Sequence, residues 1–256
     1  DMSLGSVTIA VLDEADRMSD MGFLPAVRRV LRALPKNRQV LLFSATLDGD
    51  ISQVVKEFQN DPRRHESKSQ EAEPDIEHRF WIVGRNDRVE TISQLVNQYE
   101  RIILFCRTKH GCDRLAKQLD NSGVRSSIIH GNKSQAQRER SLEEFRRGRS
   151  NVLVATDVAA RGIHIDDVPC VVHFDPPADH KDYIHRSGRT GRAGSKGVVI
   201  SLVDNSQKRT VNKLARDAGV DADFIAPDFE AADPDQIDAR PGAVGGVLVS
   251  VGARAE

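Results

Sequence analysis

Apolar residues in this chain keep two rhythms. Short apolar runs recur at Val7 to Leu12, Val40 to Phe43, Phe80 to Val83, Ile102 to Phe105, Ser127 to His130, Val152 to Ala155, Val171 to Phe174 and Val198 to Leu202. Runs of this length read as buried strands. Between them lie stretches with helical spacing. After Thr108, Cys112, Leu115, Ala116 and Leu119 fall at i, i+3, i+4 and i+7, and Asn121-Ser122-Gly123 ends the stripe. After Ser134, Gln137 completes a capping box, Leu142 and Phe145 face inward, and Gly148 is the stop. Two further helices are predicted over Pro25 to Leu34 and Ile51 to Gln59. Strand and helix in alternation predict an α/β fold whose parallel sheet is covered on both faces.

The punctuation between these elements predicts four segments. Residues 1–64 supply two strands and two helices. Residues 65–78 read as a linker, because His65 to Asp75 has no bulky apolar residue and contains Pro74. Residues 79–208 hold six strands and form a second domain. Residues 209–256 form a C-terminal helix and then a tail rich in Asp, Ala, Pro and Gly, expected to be mobile with one weak strand at Val247 to Val251.

The chemistry gathers where strands end. Open α/β sheets bind ligands outside the carboxyl ends of their strands, and the first strand ends in Asp13-Glu14-Ala15-Asp16. In nucleotide hydrolases an Asp so placed holds Mg²⁺ against phosphates and a neighbouring carboxylate orients or deprotonates the attacking water. Asp13 suits the first role and Glu14 the second. The bland alternative is an acidic cap on the following helix. The second strand ends in Ser44-Ala45-Thr46, and downstream come Phe105-Cys106-Arg107-Thr108, the Gln135/Arg138 pair, Ala155-Thr156-Asp157-Val158-Ala159-Ala160-Arg161-Gly162 and His185-Arg186-Ser187-Gly188-Arg189-Thr190-Gly191-Arg192.

In these motifs and their order the chain resembles the DEAD-box family of ATP-dependent RNA helicases, from its first residues to about Val203. The resemblance implies a RecA-like helicase C-terminal domain preceded by the C-terminal part of a first RecA-like domain, with ATP and Mg²⁺ as cofactors and RNA as partner. It assigns Arg189 and Arg192 to the γ-phosphate, with Arg192 as the arginine finger. Asp16, Ser44, Thr46 and His185 would couple the two domains. Thr108, Gly131, Arg138, Thr156 and Gly162 would hold the RNA backbone, a contact that positions a strand without reading its sequence. Thr108 and Arg138 also read as a plain N-cap and an exposed helix charge. The chain departs from the family at Arg161-Gly162-Ile163-His164, where an Asp usually meets the ribose; histidine donates there but offers no carboxylate.

The family's phosphate cradle, G-x-x-x-x-G-K-[ST], is missing. Only twelve residues precede Asp13, and Gly131-Asn132-Lys133-Ser134 has the wrong spacing. The chain therefore reads as a fragment without ATPase activity of its own. Two readings compete with a helicase: an RNA-binding or protein-docking module without hydrolysis, and a DNA helicase of a sibling family. Asp16 together with His185 speaks against the DNA helicase.

Composition adds limits. Cys106, Cys112 and Cys170 are unclustered, which fits reduced thiols in a cytoplasmic protein, and the eight histidines have no zinc-site spacing. No apolar run is long enough to span a membrane. The net charge of −1 averages unlike parts: residues 222–256 carry seven acids against two arginines, which leaves the body mildly basic.

Overall fold

The computed structural model describes residues 3–47, 49–67, 75–160, 165, 168–191, 196–229 and 247–251. The chain divides into two compact units, Asp1–Gln70 with Gly245–Glu256, and Glu71–Val244.

Unit 1 contains β1 (Ile9–Leu12), α1 (Ala15–Asp20), α2 (Leu24–Ala33), β2 (Gln39–Ser44), α3 (Gly49–Phe58) and β3 (Arg63–Ser67). β1 and β2 are parallel, with Leu12 opposite Leu42, so the acidic turn and Ser44 share one carboxyl edge. Val40 and Leu42 of β2 and Leu12 of β1 bury against Leu24 and Leu31 of α2 and Ile51, Val54 and Val55 of α3. Arg28 and Arg32 of α2 both reach Glu57, at 3.3 and 2.6 Å, and tie the two helices on the outside. Gln59 closes α3 by donating its side-chain amide to the Val40 carbonyl at 2.9 Å.

Unit 2 runs β4 (Ile76–Ile82), α4 (Arg88–Gln98), β5 (Ile102–Phe105), α5 (Lys109–Asn121), β6 (Ser126–Ile129), α6 (Gln135–Arg146), β7 (Val152–Ala155), α7 (Asp157–Ala160), β8 (Cys170–His173), α8 (His180–Ser187), β9 (Gly197–Val203), a 3-10 turn (Asn205–Gln207), α9 (Lys208–Asp217) and β10 (Phe224–Ile225). Its sheet has the order β10-β4-β9-β8-β5-β7-β6, and every pairing is parallel. Because β7 and β8 flank β5 on opposite sides, the chain changes its direction of travel across the sheet there, which opens a crevice at the carboxyl edge. Side chains alternate between two cores: Ile102 and Leu104 join Trp81, Leu95 and Leu115, while Ile103 and Phe105 join Ile129, Phe145 and Leu153. A strand apolar at every position is what two covered faces require.

Three segments differ from the sequence reading. His65 to Ser67 belongs to β3 and Ile76 to His78 to β4, so strand enters both ends of the expected 65–78 linker. β3 is polar, and its order comes from a backbone ladder, not from apolar burial: β11 (Val247–Val251) lies antiparallel between β2 and β3 and bonds to both. The weak strand expected at Val247 to Val251 is thus present, inside unit 1. Residues 219–229, expected in the mobile tail, pack on unit 2: Phe224 meets Phe80 edge-on at 5.7 Å and Phe229 meets Trp81 at 5.2 Å. The remaining tail, 230–246 and 252–256, lies outside the described residues.

Candidate functional site

In unit 1 the turn after β1 is held by few bonds, each to backbone. The Asp16 N–H donates to Ser44 Oγ at 3.1 Å, and Ser44 Oγ donates to the Thr46 carbonyl at 2.6 Å. The two strand ends therefore move as one piece. Asp16 and Ser44 are buried, whereas Asp13 and Thr46 are exposed. Asp13 Oδ1 accepts the Glu14 N–H at 2.9 Å. Glu14 stands at φ 50°, ψ 48°, in the left-handed region, as N-cap of α1 without a side-chain capping bond. That conformation costs a non-glycine residue about 1–2 kcal/mol. The acidic-cap alternative is left without a side-chain capping bond at Glu14, which sits on a strained turn.

In unit 2 the β5, β6, β7 and β8 ends share one edge. Thr108 is the N-cap of α5 and accepts the Gly111 N–H at 3.0 Å. Ser134 caps α6 with the full reciprocal box to Gln137. The two helices, thirteen and twelve residues long, thus present N-terminal dipoles at the same edge. Gly131 lies between them, exposed, and a Cβ built on it meets nothing within 4 Å. Packing does not explain the glycine. Arg138 donates to the Ala159 carbonyl at 3.1 Å, which carries its guanidinium from α6 to α7 beside Thr156. Thr156 opens that helix, its N–H bonded to the Ile129 carbonyl at 3.3 Å. The helix-charge reading of Arg138 thus gives way to a bridging one.

The edge is reinforced by ion pairs that the sequence reading did not assign. Arg186, buried on α8, donates to both carboxylate oxygens of Asp157, at 2.6 and 2.8 Å, and to the Asp175 carbonyl at 2.8 Å. Its guanidinium lies 5.1 Å over the Phe105 ring. Each half of the pair sits inside a recognisable motif, but the 29-residue separation hides the pairing. Asp175 in turn accepts the Arg107 N–H at 3.0 Å and lies 3.8 Å from buried Arg88, so the turn before Thr108 is fixed from behind. At the other helix, His130 bonds Asp113 at 3.0 Å and accepts the Asn132 N–H, which assigns its proton to Nε2. The His130 bond, and then Lys133 at 3.3 Å, hold the Asp113 carboxyl below its usual range.

His185 and Arg189 line a small, open depression with Phe105, Asp157, Ala160, Asp182 and Arg186. Gly191 stands at φ +66°, where a Cβ would come 2.5 Å from Ile76 Cγ1. Arg192 and Gly162, like the departure at Ile163 and His164, lie outside the described residues. The three cysteines are free and buried; bonding to Cys112 and burial push the Cys106 thiol up, and burial does the same to Cys170.

A parallel α/β sheet with helix N-termini, hydroxyls and arginines on one edge defines a phosphate-handling class of protein. Comparison with known proteins gives the family. Residues 1–54 match the DEAD/DEAH box helicase family and residues 87–194 match the helicase conserved C-terminal domain. The chain belongs to the DEAD-box RNA helicases, and its fold is RecA-like. It is 43% identical over 207 residues to the ATP-dependent RNA helicase RhlB of Pseudomonas syringae pv. tomato, covering 79% of this chain and 52% of that protein. It is 40% identical over 225 residues to DEAD-box ATP-dependent RNA helicase 30 of Arabidopsis thaliana, covering 85% and 38%. The chain thus spans about half or less of these relatives. Among solved structures it is similar to S. cerevisiae Dbp5 bound to RNA and ADP BeF3, with a TM-score of 0.76 and 33% identity over 92% of this chain and 63% of that one. E. coli SrmB bound to the regulator RraA aligns with a TM-score of 0.53 and 32% identity, over 64% and 96%.

Proposed function

We propose that this chain carries the carboxylate loop and the RNA-holding domain of an ATP-dependent RNA helicase that separates short duplexes. The observation that supports it most is the edge of unit 2, where Thr108, Gly131, Arg138 and Thr156 gather with two helix N-termini. In this reading these groups, together with Gly162, hold an RNA backbone and make no base contacts. That Dbp5 is found with RNA and a nucleotide supports the same ligands here.

Hydrolysis would divide between the units. Glu14 orients and deprotonates the attacking water, and its strained backbone holds it ready for that task. Asp16, Ser44 and Thr46 would report the state of the acidic turn to His185. Arg189 and Arg192 would meet charge developing on the γ-phosphate. Magnesium is the ion the family implies. Among the described residues no three His, Cys, Asp or Glu side chains gather as a cage. The exposed Asp13 carboxylate nevertheless fits Mg²⁺, which is usually bound by one or two carboxylates plus substrate phosphates and water. Bound there, the ion would supply charge neutralisation of the phosphates.

The 256-residue chain is proposed not to turn over ATP, since its sequence offers no phosphate cradle. A second reading is an RNA-binding module without hydrolysis. No helix among the described residues is long and apolar enough to cross a membrane, and a cytoplasmic site of action is proposed. Steady-state phosphate release, with and without single-stranded RNA, tests the helicase reading on a longer protein that includes the cradle. RNA-stimulated turnover there, lost in Glu14→Gln while ATP and RNA binding remain, is the expected result. Normal turnover by Glu14→Gln would reduce Glu14 to a surface acid. RNA binding by the longer protein without RNA-stimulated turnover would favour the binding module.

A further inference from the structure

Residues 101–150 hold twelve Lys and Arg against five acids, a balance of +7 in a chain of net charge −1. Only part of that charge lies at the edge described above. Arg101 immediately precedes β5, Arg125 immediately precedes β6, and Arg149 stands in the turn before β7. The Ile102 N–H bonds the Asn151 carbonyl at 2.9 Å and the Asn151 N–H bonds the Arg125 carbonyl at 3.2 Å. Arg101, Asn151 and Arg125 therefore lie abreast on three adjacent strands, at the amino edge of the sheet. Two strand spacings separate Arg101 from Arg125, about 10 Å. Arg149 is fixed by its own N–H on the Glu144 carbonyl at 2.9 Å.

Among the described residues none of these three side chains has a hydrogen-bond or ion-pair partner. Arg125 and Arg149 are exposed. The acids nearby are Glu100 and Asp120, while Glu143 and Glu144 are already paired with Arg147 and Arg140. Arginines here also lie near the C-termini of α4, α5 and α6 and offset those helix dipoles. That role calls for charge at each helix end but not for a basic path between the two edges of the sheet. Such a path exists: Arg114 and Lys117 on α5 are exposed between them. The outermost strand, β6, has four residues, so the edges are only about 13 Å apart.

We propose that Arg101, Arg125 and Arg149 form a second phosphate-binding station, which takes the flank of an RNA strand whose core lies on the Thr108–Gly131–Arg138 edge. The inference rests on the RNA-holding role proposed above. The ligand is a phosphodiester backbone, held by guanidinium forks and without base readout.

Fluorescence anisotropy on the 256-residue chain tests it with labelled single-stranded oligo-U of about eight and about 24 nucleotides over a series of KCl concentrations. Arg125→Gln/Arg149→Gln should bind the short RNA as the wild type does. For the long RNA it should lose about tenfold in affinity, with a log–log salt slope shallower by about 1.4, the contribution of two single-strand phosphate contacts. Wild-type binding of the long RNA with an unchanged slope would overturn the proposal, and so would a lowered melting temperature as the only effect. Equal losses for both RNAs would trace the defect to the carboxyl edge, again against a separate station. If an oligo-glutamate peptide bound wild type but not the double variant, and long RNA bound both alike, the surface would be a protein-docking face. A wild-type chain that bound neither RNA would remove the carboxyl-edge reading, and this one with it.

Discussion

On β1 of unit 1, Ile9 and Val11 stand 51% and 57% exposed, whereas every residue of β5, β7, β8 and β9 in unit 2 is buried. Both sheets are built from the same apolar runs followed by functional turns. The difference is cover. Helices bury both faces of the unit 2 sheet, and two separate cores result. In unit 1 the helices fill one core, so half the side chains of β1 meet no layer among the described residues. An apolar strand thus records a demand for cover on both faces, and the demand does not guarantee the supply. The carboxylate turn stands on the less supported sheet, the edge with Thr108, Gly131, Arg138 and Thr156 on the better one.

This contrast breaks first under proteolysis. Limited digestion should leave a core spanning about residues 75–229 after unit 1 has been cut away, because few strands with one core make a poor fold. Preferential survival of residues 1–64, read by mass spectrometry, would reverse the ranking. Ion pairs sharpen it next. Arg186→Ala leaves half-buried Asp157 without its buried partner and should cost unit 2 about 3 kcal/mol by denaturant melting. Arg32→Ala, which breaks an exposed pair with Glu57, should cost unit 1 less than about 1 kcal/mol. Equal costs would mean that the Arg186–Asp157 pair is no better shielded from water than the exposed one.

Acid should separate the units further. His78 bonds the Tyr183 hydroxyl at 2.8 Å, and burial holds its pKa down at about 4. His173, fully buried beside Tyr183, is lowered too. In the unfolded chain a histidine titrates near 6.5. Between those values the unfolded state takes up a proton that the folded state refuses, so stability falls as pH drops from about 6.5 to about 4, by roughly 3 kcal/mol for His78 alone. Unit 1 holds only exposed His65. Melting monitored by Trp81 fluorescence at pH 7 and pH 5 should show the loss, and coincident curves would contradict it. The smallest effect is at Glu14. Glu14→Gly relieves the left-handed strain and should stabilise unit 1 by up to about 1 kcal/mol, while removing the carboxylate proposed to act on water. A destabilised variant would show that the Glu14 side chain makes contacts that outweigh its backbone cost.

The sequence made the strands of unit 2 legible because burial on both faces leaves no polar interruption: β5 and β7 have the bounds read from their apolar runs. Thr108 and Ser134 were legible as caps because capping is local. Three features were not. β3 is polar and gains order from a partner about 180 residues away. The Arg186–Asp157 pair needs the sheet order, which brings α7 beside α8. The φ of Glu14 has no residue signature, since nothing but glycine or asparagine announces a left-handed turn. The candidate role of Asp13 came from its place at a strand end and those of Asp16, Arg189 and His185 from motif order, and for them the structure adds bonds and exposure.

The two ends of the described chain lie in one unit, since β1 and β11 both belong to the sheet of unit 1. Tension applied between Ser3 and Val251 would therefore load that sheet alone, while unit 2 hangs outside the line of force. β11, antiparallel to β2 and β3, is the element that must yield before any pull reaches β4. Stretched by its ends in an optical trap, the molecule should give way in two events: an early, weak release of the returning strand, and a later, stronger one as the seven-stranded sheet comes under load.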